Sequence, residues 1–126
     1  MFQLDFKSGV PICDQIVNGF IKLKALGVLK GGDQLPSVRA LASKFSVNPN
    51  TVQKSYAILE ANGIIYSVKG KGSFISDDET AANAVLESAK REFIAAIKHA
   101  ADLGLGTNDM INLIKQNSTA KEEDAQ

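Results

Sequence analysis

The short link between residues 45 and 48 is the feature that most constrains how this chain can fold. Only two residues separate an amphipathic pattern that ends near Phe45 from a new helix start at Asn48-Pro49. Asparagine is a preferred N-cap residue, and proline is favoured at the first helical position. Ser37, which follows a proline, gives the preceding helix a similar start. Two amphipathic helices joined this tightly are typical of a helix-turn-helix.

Apolar spacing predicts three helices in the first half of the chain. Pro11 stands at the predicted start of the first helix and Gly27 at its end, while residues 1–9 are expected to form a loosely held arm. Apolar residues recur at steps of three and four, as on the buried side of a helix. They are Ile12, Ile16, Phe20 and Leu23 in the first helix, Val38, Leu41, Ala42 and Phe45 in the second, and Val52, Tyr56 and Leu59 in the third.

A β-hairpin is predicted directly after the third helix. Asn62-Gly63 is typical of a helix C-terminus, where glycine adopts the left-handed conformation. Two β-type runs, residues 64–67 and 73–76, then flank the turn sequence of residues 68–72, which is rich in glycine and lysine. The first 76 residues are therefore expected to form a helix-turn-helix followed by a hairpin.

The second half of the chain is predicted to contain two further helices. No glycine or proline interrupts residues 79–103, and Thr107 is placed as the N-cap of a short last helix. The apolar stripe of these helices either folds back on its own domain or forms an interface; we favour an interface between two copies, because the first three helices already share a core. Its predicted residues are Val85, Leu86, Ala89, Phe93, Ala96, Ile97, Ala100, Ile111 and Ile114. Residues 77–116 are thus interpreted as a dimerisation segment, and the polar, acidic residues 117–126 as a disordered tail.

Charge is distributed unequally between the two halves of the chain. The net charge of the whole chain is zero, but residues 1–76 hold nine basic and four acidic residues, and residues 77–126 hold five basic and ten acidic residues. The front half therefore carries +5 and the back half −5. A basic half joined to an acidic half indicates two modules with different partners.

Several classes of function are disfavoured by composition. The chain has one cysteine, Cys13, and one histidine, His99, too few for a cysteine-rich zinc site or for Cys/His catalysis. Cys13 is interpreted as an ordinary helix residue and His99 as a surface or interface residue. A phosphate-binding loop, a signal peptide and an apolar run long enough to span a membrane are all missing from the sequence. We therefore expect a cytoplasmic protein that is not an enzyme and needs no metal or cofactor.

The exposed face of the third helix has the chemistry that nucleic-acid recognition needs. Amides, hydroxyls and cations can bind base edges in the major groove and phosphates on the backbone. At the start and on the exposed face of the third helix, the candidate DNA-binding residues are Asn48, Asn50, Thr51, Gln53 and Lys54. The other candidates are Ser37 and Arg39 at the start of the second helix, and Lys69, Gly70 and Lys71 in the hairpin turn. The alternatives are a surface ion pair for Arg39 and a merely solvated turn at residues 69–71.

Several spaced motifs resemble the winged helix-turn-helix domain of the GntR family of bacterial transcription regulators. They are Leu35-Pro-Ser-Val-Arg-Ala-Leu-Ala42, Val47-Asn-Pro-Asn-Thr-Val52, Tyr56-Ala-Ile-Leu-Glu60, Gly63-Ile-Ile65 and Gly70-Lys-Gly-Ser-Phe-Ile75. The likeness runs from about residue 10 to residue 76. The motif at residues 47–52 and the short helical C-terminus resemble the YtrA-type subfamily. The fold class that follows is mainly α with a small β-hairpin, a winged domain followed by two dimerisation helices.

The resemblance implies roles for individual residues. Arg39 matches the family's arginine in the second helix, and Gly70 matches the glycine at the tip of the wing, with Lys69 before it. Asn48, Asn50 and Thr51 match the polar residues that open the recognition helix. Many members of the family carry arginines where this chain has Pro49 and Gln53, so the family's general operator half-site is not carried over. Lys54 is a candidate for one of the missing charges.

The resemblance implies a homodimeric regulator, most simply a repressor, that binds a palindromic DNA operator. The alternative is a winged helix that binds another protein instead of DNA. The basic front half and the polar face of the third helix favour DNA. The sequence identifies no small-molecule effector.

Overall fold

Five α-helices and one antiparallel hairpin make up residues 1–118, the part of the chain that the computed structural model describes. The helices and strands are α1 (Ile12–Ala25), α2 (Val38–Phe45), α3 (Pro49–Ala61), β1 (Ile65–Val68), β2 (Gly72–Ile75), α4 (Glu79–Asp102) and α5 (Thr107–Asn117). The order and type of these elements confirm the predicted fold class.

The first compact unit, Met1–Val85, has its core where α1, α2, α3 and the hairpin meet. Phe20 of α1, Leu41 of α2 and Leu59 of α3 are completely buried there. Removing such side chains from water stabilises a fold by about 1.5–3 kcal/mol each. The helical spacing read from the sequence therefore identifies the residues that hold α3 in place.

The helix ends follow the local sequence, with shifts of one residue. The Ser37 Oγ accepts a hydrogen bond from the backbone N–H of Ala40 at 3.0 Å, and Pro49 is the first residue of α3. Pro11 was expected to be the first residue of α1, but it is the N-cap, because its ψ of 145° is not helical. Thr107 was expected to be the N-cap of α5, but Gly106 occupies that position and Thr107 begins the helix.

The hairpin carries a short extended segment on the edge of β2. Ile65 pairs with Ile75 and Val68 with Gly72 in the β1–β2 ladder. On the other edge of β2, the N–H of Leu35 donates to the carbonyl of Ser73 at 2.8 Å, and Gln34 forms a β-bridge with Phe74. This edge segment is not predicted from the sequence.

The N-terminal arm is anchored, and the expectation of a loosely held arm is wrong. The Phe2 ring lies 5.1 Å from the Phe20 ring and 5.4 Å from the Phe45 ring, measured between centroids. A Cβ atom at Gly19 would lie 2.6 Å from the Phe2 ring. The arm packs because Phe2 fits against α1 at a position where α1 has no side chain.

The second compact unit begins at Leu86, inside α4, and contains the rest of α4 and α5. None of residues 86–118 is buried. The division falls at residue 85 because Ala82, in the first turn of α4, is buried in the core of the first unit. The functional limits given above, residues 1–76 and 77–116, remain a prediction. The predicted start of the tail at residue 117 is wrong by one residue, because Asn117 is the last residue of α5; residues 119–126 lie outside the described residues.

Candidate nucleic-acid interface

The two sides of α3 differ completely in burial. Val52, Tyr56 and Leu59 fix one side against the core, each at most 4% exposed. The opposite side exposes Asn50, Gln53 and Lys54. Because the buried side is anchored along the whole helix, the polar side is a rigid surface that can be presented to a partner.

Hydrogen bonds of two buried polar side chains hold α3 in register with its neighbours. The Tyr56 hydroxyl donates to the carbonyl of Pro36 at 2.7 Å, which connects α3 to the start of α2. The Ser55 Oγ lies 3.1 Å from the carbonyl oxygen of Cys13, which connects α3 to α1. Burial raises the pKa of the Tyr56 phenol, so that this donor stays protonated.

Two of the predicted DNA-binding side chains have a structural task. The Asn48 Oδ1 accepts from the N–H of Asn50 at 2.8 Å and caps α3, as Ser37 caps α2. Both caps are exposed, and Thr51 in the first turn of α3 is half-buried. The backbone and side-chain groups of Ser37, Asn48 and Thr51 therefore lie at helix N-termini, where phosphate oxygens bind favourably.

The wing consists of β1, β2 and the connecting tip, Lys69-Gly70-Lys71. The N–H of Lys71 donates to the carbonyl of Val68 at 2.9 Å and closes the turn. Gly70 has a φ of +78°, a conformation that favours glycine. Both lysines are exposed. A tight, small tip with two cations can approach a nucleic-acid backbone closely.

A groove of about 510 Å³ lies between α3 and the wing, and we call it the recognition groove. Four predicted residues lie along it: Gln53, Lys69, Gly70 and Lys71. The others lie outside its lining, at the start of α2 (Ser37, Arg39) and on the exposed face and N-terminus of α3 (Asn48, Asn50, Thr51, Lys54). The lining also includes residues that were not predicted to bind DNA: Val38, Tyr56, Ala57, Glu60, Ser67, Val68, Gly72 and Ser73. Ala57 belongs to the outward face of the third helix that the sequence pattern predicts, but the shared surface forms only when the hairpin packs beside α3.

The cations around the recognition groove have no protein partner within the described residues 1–118. No hydrogen bond or ion pair engages the charged groups of Arg39, Lys54, Lys69 or Lys71 there. The carboxylate in the groove, Glu60, accepts a hydrogen bond from the Ser67 hydroxyl at 2.9 Å. The cationic groups are thus available to an external anion.

The predicted interface residues of the second unit are largely solvent-exposed. Phe93 is 52% exposed and Ile111 is 43% exposed, although both are large and apolar. An apolar groove of about 660 Å³ runs between α4 and α5 and is lined by Phe93, Ala96, Ile97, Ala100, Ile111 and Ile114, among others. Val85, Leu86 and Ala89 lie earlier on α4, outside this lining.

Neither the single cysteine nor the single histidine lines either groove. Cys13 is a half-buried free thiol beside Ser55, and His99 is exposed on α4. Among the described residues, no group of His, Cys, Asp and Glu side chains is arranged to hold a metal ion. Nor does any helix in that part of the chain have the length and apolar character needed to cross a membrane.

Two curated relatives from Bacillus subtilis are transcription regulators by name. The transcriptional repressor YtrA is 46% identical over 78 residues, which cover 62% of this chain. This chain spans 60% of the length of YtrA. The uncharacterised regulator YhcF is 34% identical over 111 residues, 87% of this chain and 92% of YhcF. Similarity to YhcF therefore extends beyond the winged unit into the C-terminal helices.

Solved structures share this architecture. A GntR-family transcriptional regulator from Listeria monocytogenes superposes with a TM-score of 0.72 at 35% identity, covering 88% of this chain and 98% of the other. The DNA-binding domain of AraR, solved in complex with operator ORE1, superposes with a TM-score of 0.52 at 26% identity, covering 60% of this chain and 95% of the other. Residues 25–75 also match the family model of the bacterial regulatory proteins of the gntR family. This chain belongs to the GntR family of bacterial transcription regulators.

Proposed function

We propose that the protein is a cytoplasmic, sequence-specific DNA-binding repressor that acts as a homodimer on a palindromic operator. The observation that carries the proposal is the recognition groove, where Gln53 of the polar face of α3 and the two wing lysines line one concave surface. A helix of this kind fits the major groove of B-DNA, and the wing then lies beside the phosphate backbone.

Roles on DNA follow from chemistry and position. Asn50 and Gln53 carry amides on the exposed side of α3, and amides can bind adenine edges. Arg39 is exposed at the start of α2, and its guanidinium suits a guanine edge or a phosphate. Lys54 and the wing lysines supply phosphate contacts, which give affinity without sequence preference.

The homodimer is supported by the apolar groove between α4 and α5. Its large side chains, Phe93, Ile97 and Ile114, are between 36% and 52% exposed. Exposed apolar side chains gathered along one groove mark an interface. We assign a second copy of the chain as the occupant, because two such helix pairs complete a small helical bundle. A twofold pairing repeats the DNA-binding unit, so the operator is expected to be palindromic.

Repression is supported by the name of one relative, since YtrA is called a transcriptional repressor. A bound dimer that covers an operator blocks other proteins physically and needs no further activity. A winged helix that binds a protein would expose an apolar face on α3. The exposed residues Asn50, Gln53 and Lys54 are polar or charged instead.

Binding-site selection from random duplex DNA tests the proposal. We expect an enriched palindrome whose half-sites lie about one helical turn, or a multiple of it, apart. The double variant Asn50→Ala/Gln53→Ala should enrich a different or degenerate sequence. Asn18→Ala, an exposed asparagine on α1, is the matched control and should enrich the original sequence. Failure of the wild type to enrich any sequence would contradict sequence-specific binding, and a non-palindromic single site would contradict the dimer.

A further inference from the structure

A glutamine outside the recognition groove contacts the wing tip directly. The Gln34 Nε2 donates a hydrogen bond to the backbone carbonyl of Lys71 at 2.8 Å. The two residues are 37 positions apart in the sequence. Gln34 is not among the residues that line the recognition groove, whereas Lys71 is.

The backbone around Gln34 is fixed on both sides. The N–H of Leu35 donates to the carbonyl of Ser73, and the N–H of Ile75 donates to the carbonyl of Asp33, both at 2.8 Å. These bonds pair the edge segment with β2 and direct the Gln34 side chain along the strand toward the tip. Because its backbone is already ordered, the amide reaches Lys71 from a fixed base.

Gly72 provides the space that this contact needs. A Cβ atom at Gly72 would lie 2.8 Å from the Gln34 Nε2, closer than a real Cβ contact allows. The φ of Gly72 is +120°, which side-chain-bearing residues rarely adopt. The glycine after the wing tip therefore serves the amide of Gln34 as well as the turn.

The two strands of the wing are each tied to the rest of the first unit near the tip. Ser67 of β1 donates to Glu60 of α3, and the carbonyl of Lys71, next to β2, accepts from Gln34. The turn itself is closed by the backbone hydrogen bond from the N–H of Lys71 to the carbonyl of Val68. Without the Gln34 contact, the carbonyl between the tip and β2 has no partner in the described structure other than solvent.

We propose that Gln34 is a positioning residue for DNA binding, which holds the wing tip in the conformation that brings Lys69 and Lys71 to the phosphate backbone. This inference rests on the proposed DNA-binding function. A tip that is already ordered loses less conformational freedom when it binds. Gln34 itself needs no contact with DNA for this effect.

The first test compares variants of Gln34 on the palindromic duplex recovered by the selection described above. Gln34→Met keeps the length of the side chain and removes the donor, and Gln34→Glu replaces the donor by an acceptor. Both should bind the duplex more weakly, by up to about 10-fold, because the free tip must then be ordered on binding at a cost of at most one net hydrogen bond. Gln3→Met is the control, since Gln3 is exposed on the arm and has no side-chain hydrogen bond within the described residues.

The second test asks whether Gln34 acts through the wing lysines. In a Lys69→Ala/Lys71→Ala background, Gln34→Met should weaken binding no further, because the groups that it positions are gone. A purely structural defect would weaken binding equally in both backgrounds and would overturn the inference. In the free protein, ¹⁵N relaxation should show greater mobility of the Lys69–Gly72 amides in Gln34→Met, with the amides of α3 unchanged.

The outcomes separate this inference from the proposed function. If the wild type binds no duplex selectively, the proposed function fails and this inference fails with it. If the wild type binds selectively but Gln34→Met binds equally well, or leaves the tip amides as rigid as before, only the role of Gln34 is overturned.

Discussion

Tyr56 and Gln53 lie three positions apart on α3 but meet opposite environments. Both residues border the recognition groove, but Tyr56 is only 4% exposed, with its ring against Phe20 of α1 and its hydroxyl bonded to the Pro36 carbonyl, whereas Gln53 is exposed. One side chain fixes the helix, and the other is available to a partner. Substitutions at the two positions should therefore change different properties, stability in one case and binding in the other.

Tyr56→Phe should lower the free energy of unfolding by about 1–2 kcal/mol, because the Pro36 carbonyl loses its donor. Urea unfolding measures this difference. Tyr66→Phe is the control, since Tyr66 is exposed on the hairpin and should change stability little. A Tyr56→Phe protein as stable as the wild type would contradict the role of this hydrogen bond.

Tyr56 should also make stability depend on alkaline pH. Burial raises the pKa of Tyr56 in the folded state, so above about pH 10 the unfolded chain releases a proton that the folded chain keeps. Stability then falls as the pH rises through that range. Unfolding measured between pH 8 and pH 11 in about half-unit steps should show a shallower decline for Tyr56→Phe than for wild type. If stability declined equally with pH in both proteins, ionisation of Tyr56 would not be the cause of the decline.

Arg39→Ala should change specificity at one base pair while leaving the fold intact. Arg39 is exposed and has no partner within the described residues, so its removal leaves no buried group unpaired. If Arg39 binds guanine with two hydrogen bonds, the variant loses about 1–3 kcal/mol of discrimination at that position. Titration of duplexes that vary each operator position measures this. A uniform loss across all duplexes would assign Arg39 to a phosphate instead.

Elements whose ends depend on neighbouring residues were predicted well. Local chemistry within a few residues predicts the N-caps at Ser37 and Asn48 and the hairpin turn. It also predicts the helix C-termini at Gly27 and Gly63. The packing of Phe2 was not predicted, because it depends on the space beside Gly19, 17 positions away in the sequence.

The same limit applies to the candidate site. The polar face of α3 and the glycine-lysine tip are visible as sequence patterns. The hydrogen bonds by which Gln34 and Glu60 hold the wing are not visible in the sequence. Each residue meets its partner only after the strands pair and the hairpin packs beside α3. The predicted DNA-binding and dimer residues stay predictions until binding is measured.

At the scale of α4, Phe93→Asp should convert the proposed dimer to a monomer. A carboxylate placed in the apolar groove would be buried without a partner on pairing, which is unfavourable. Ala95→Asp introduces the same charge on an exposed position of α4 outside the groove lining and should remain dimeric. Sedimentation velocity distinguishes the two states. A dimeric Phe93→Asp protein would show that the pairing surface lies elsewhere.

At the scale of the whole molecule, the half of the chain proposed to bind DNA is basic, and the half proposed to form the dimer is acidic. Residues 1–76 carry a net charge of +5, and residues 77–126 carry −5. The basic half contains α3 and the wing, and the acidic half contains the predicted dimer helices. A polyanionic partner is attracted by the first and repelled by the second, so a neutral protein can still bind DNA through one surface.

The salt dependence of operator affinity tests this account most directly. Each phosphate that the protein neutralises contributes about −0.9 to the slope of log affinity against log salt concentration. We predict a steep slope for the wild type. Lys69→Ala should make it less steep by about one unit per subunit and weaken all duplexes about equally. Lys98→Ala, an exposed lysine on α4, should leave it unchanged. An affinity that does not vary with salt, or a slope that Lys69→Ala leaves unchanged, would contradict the account.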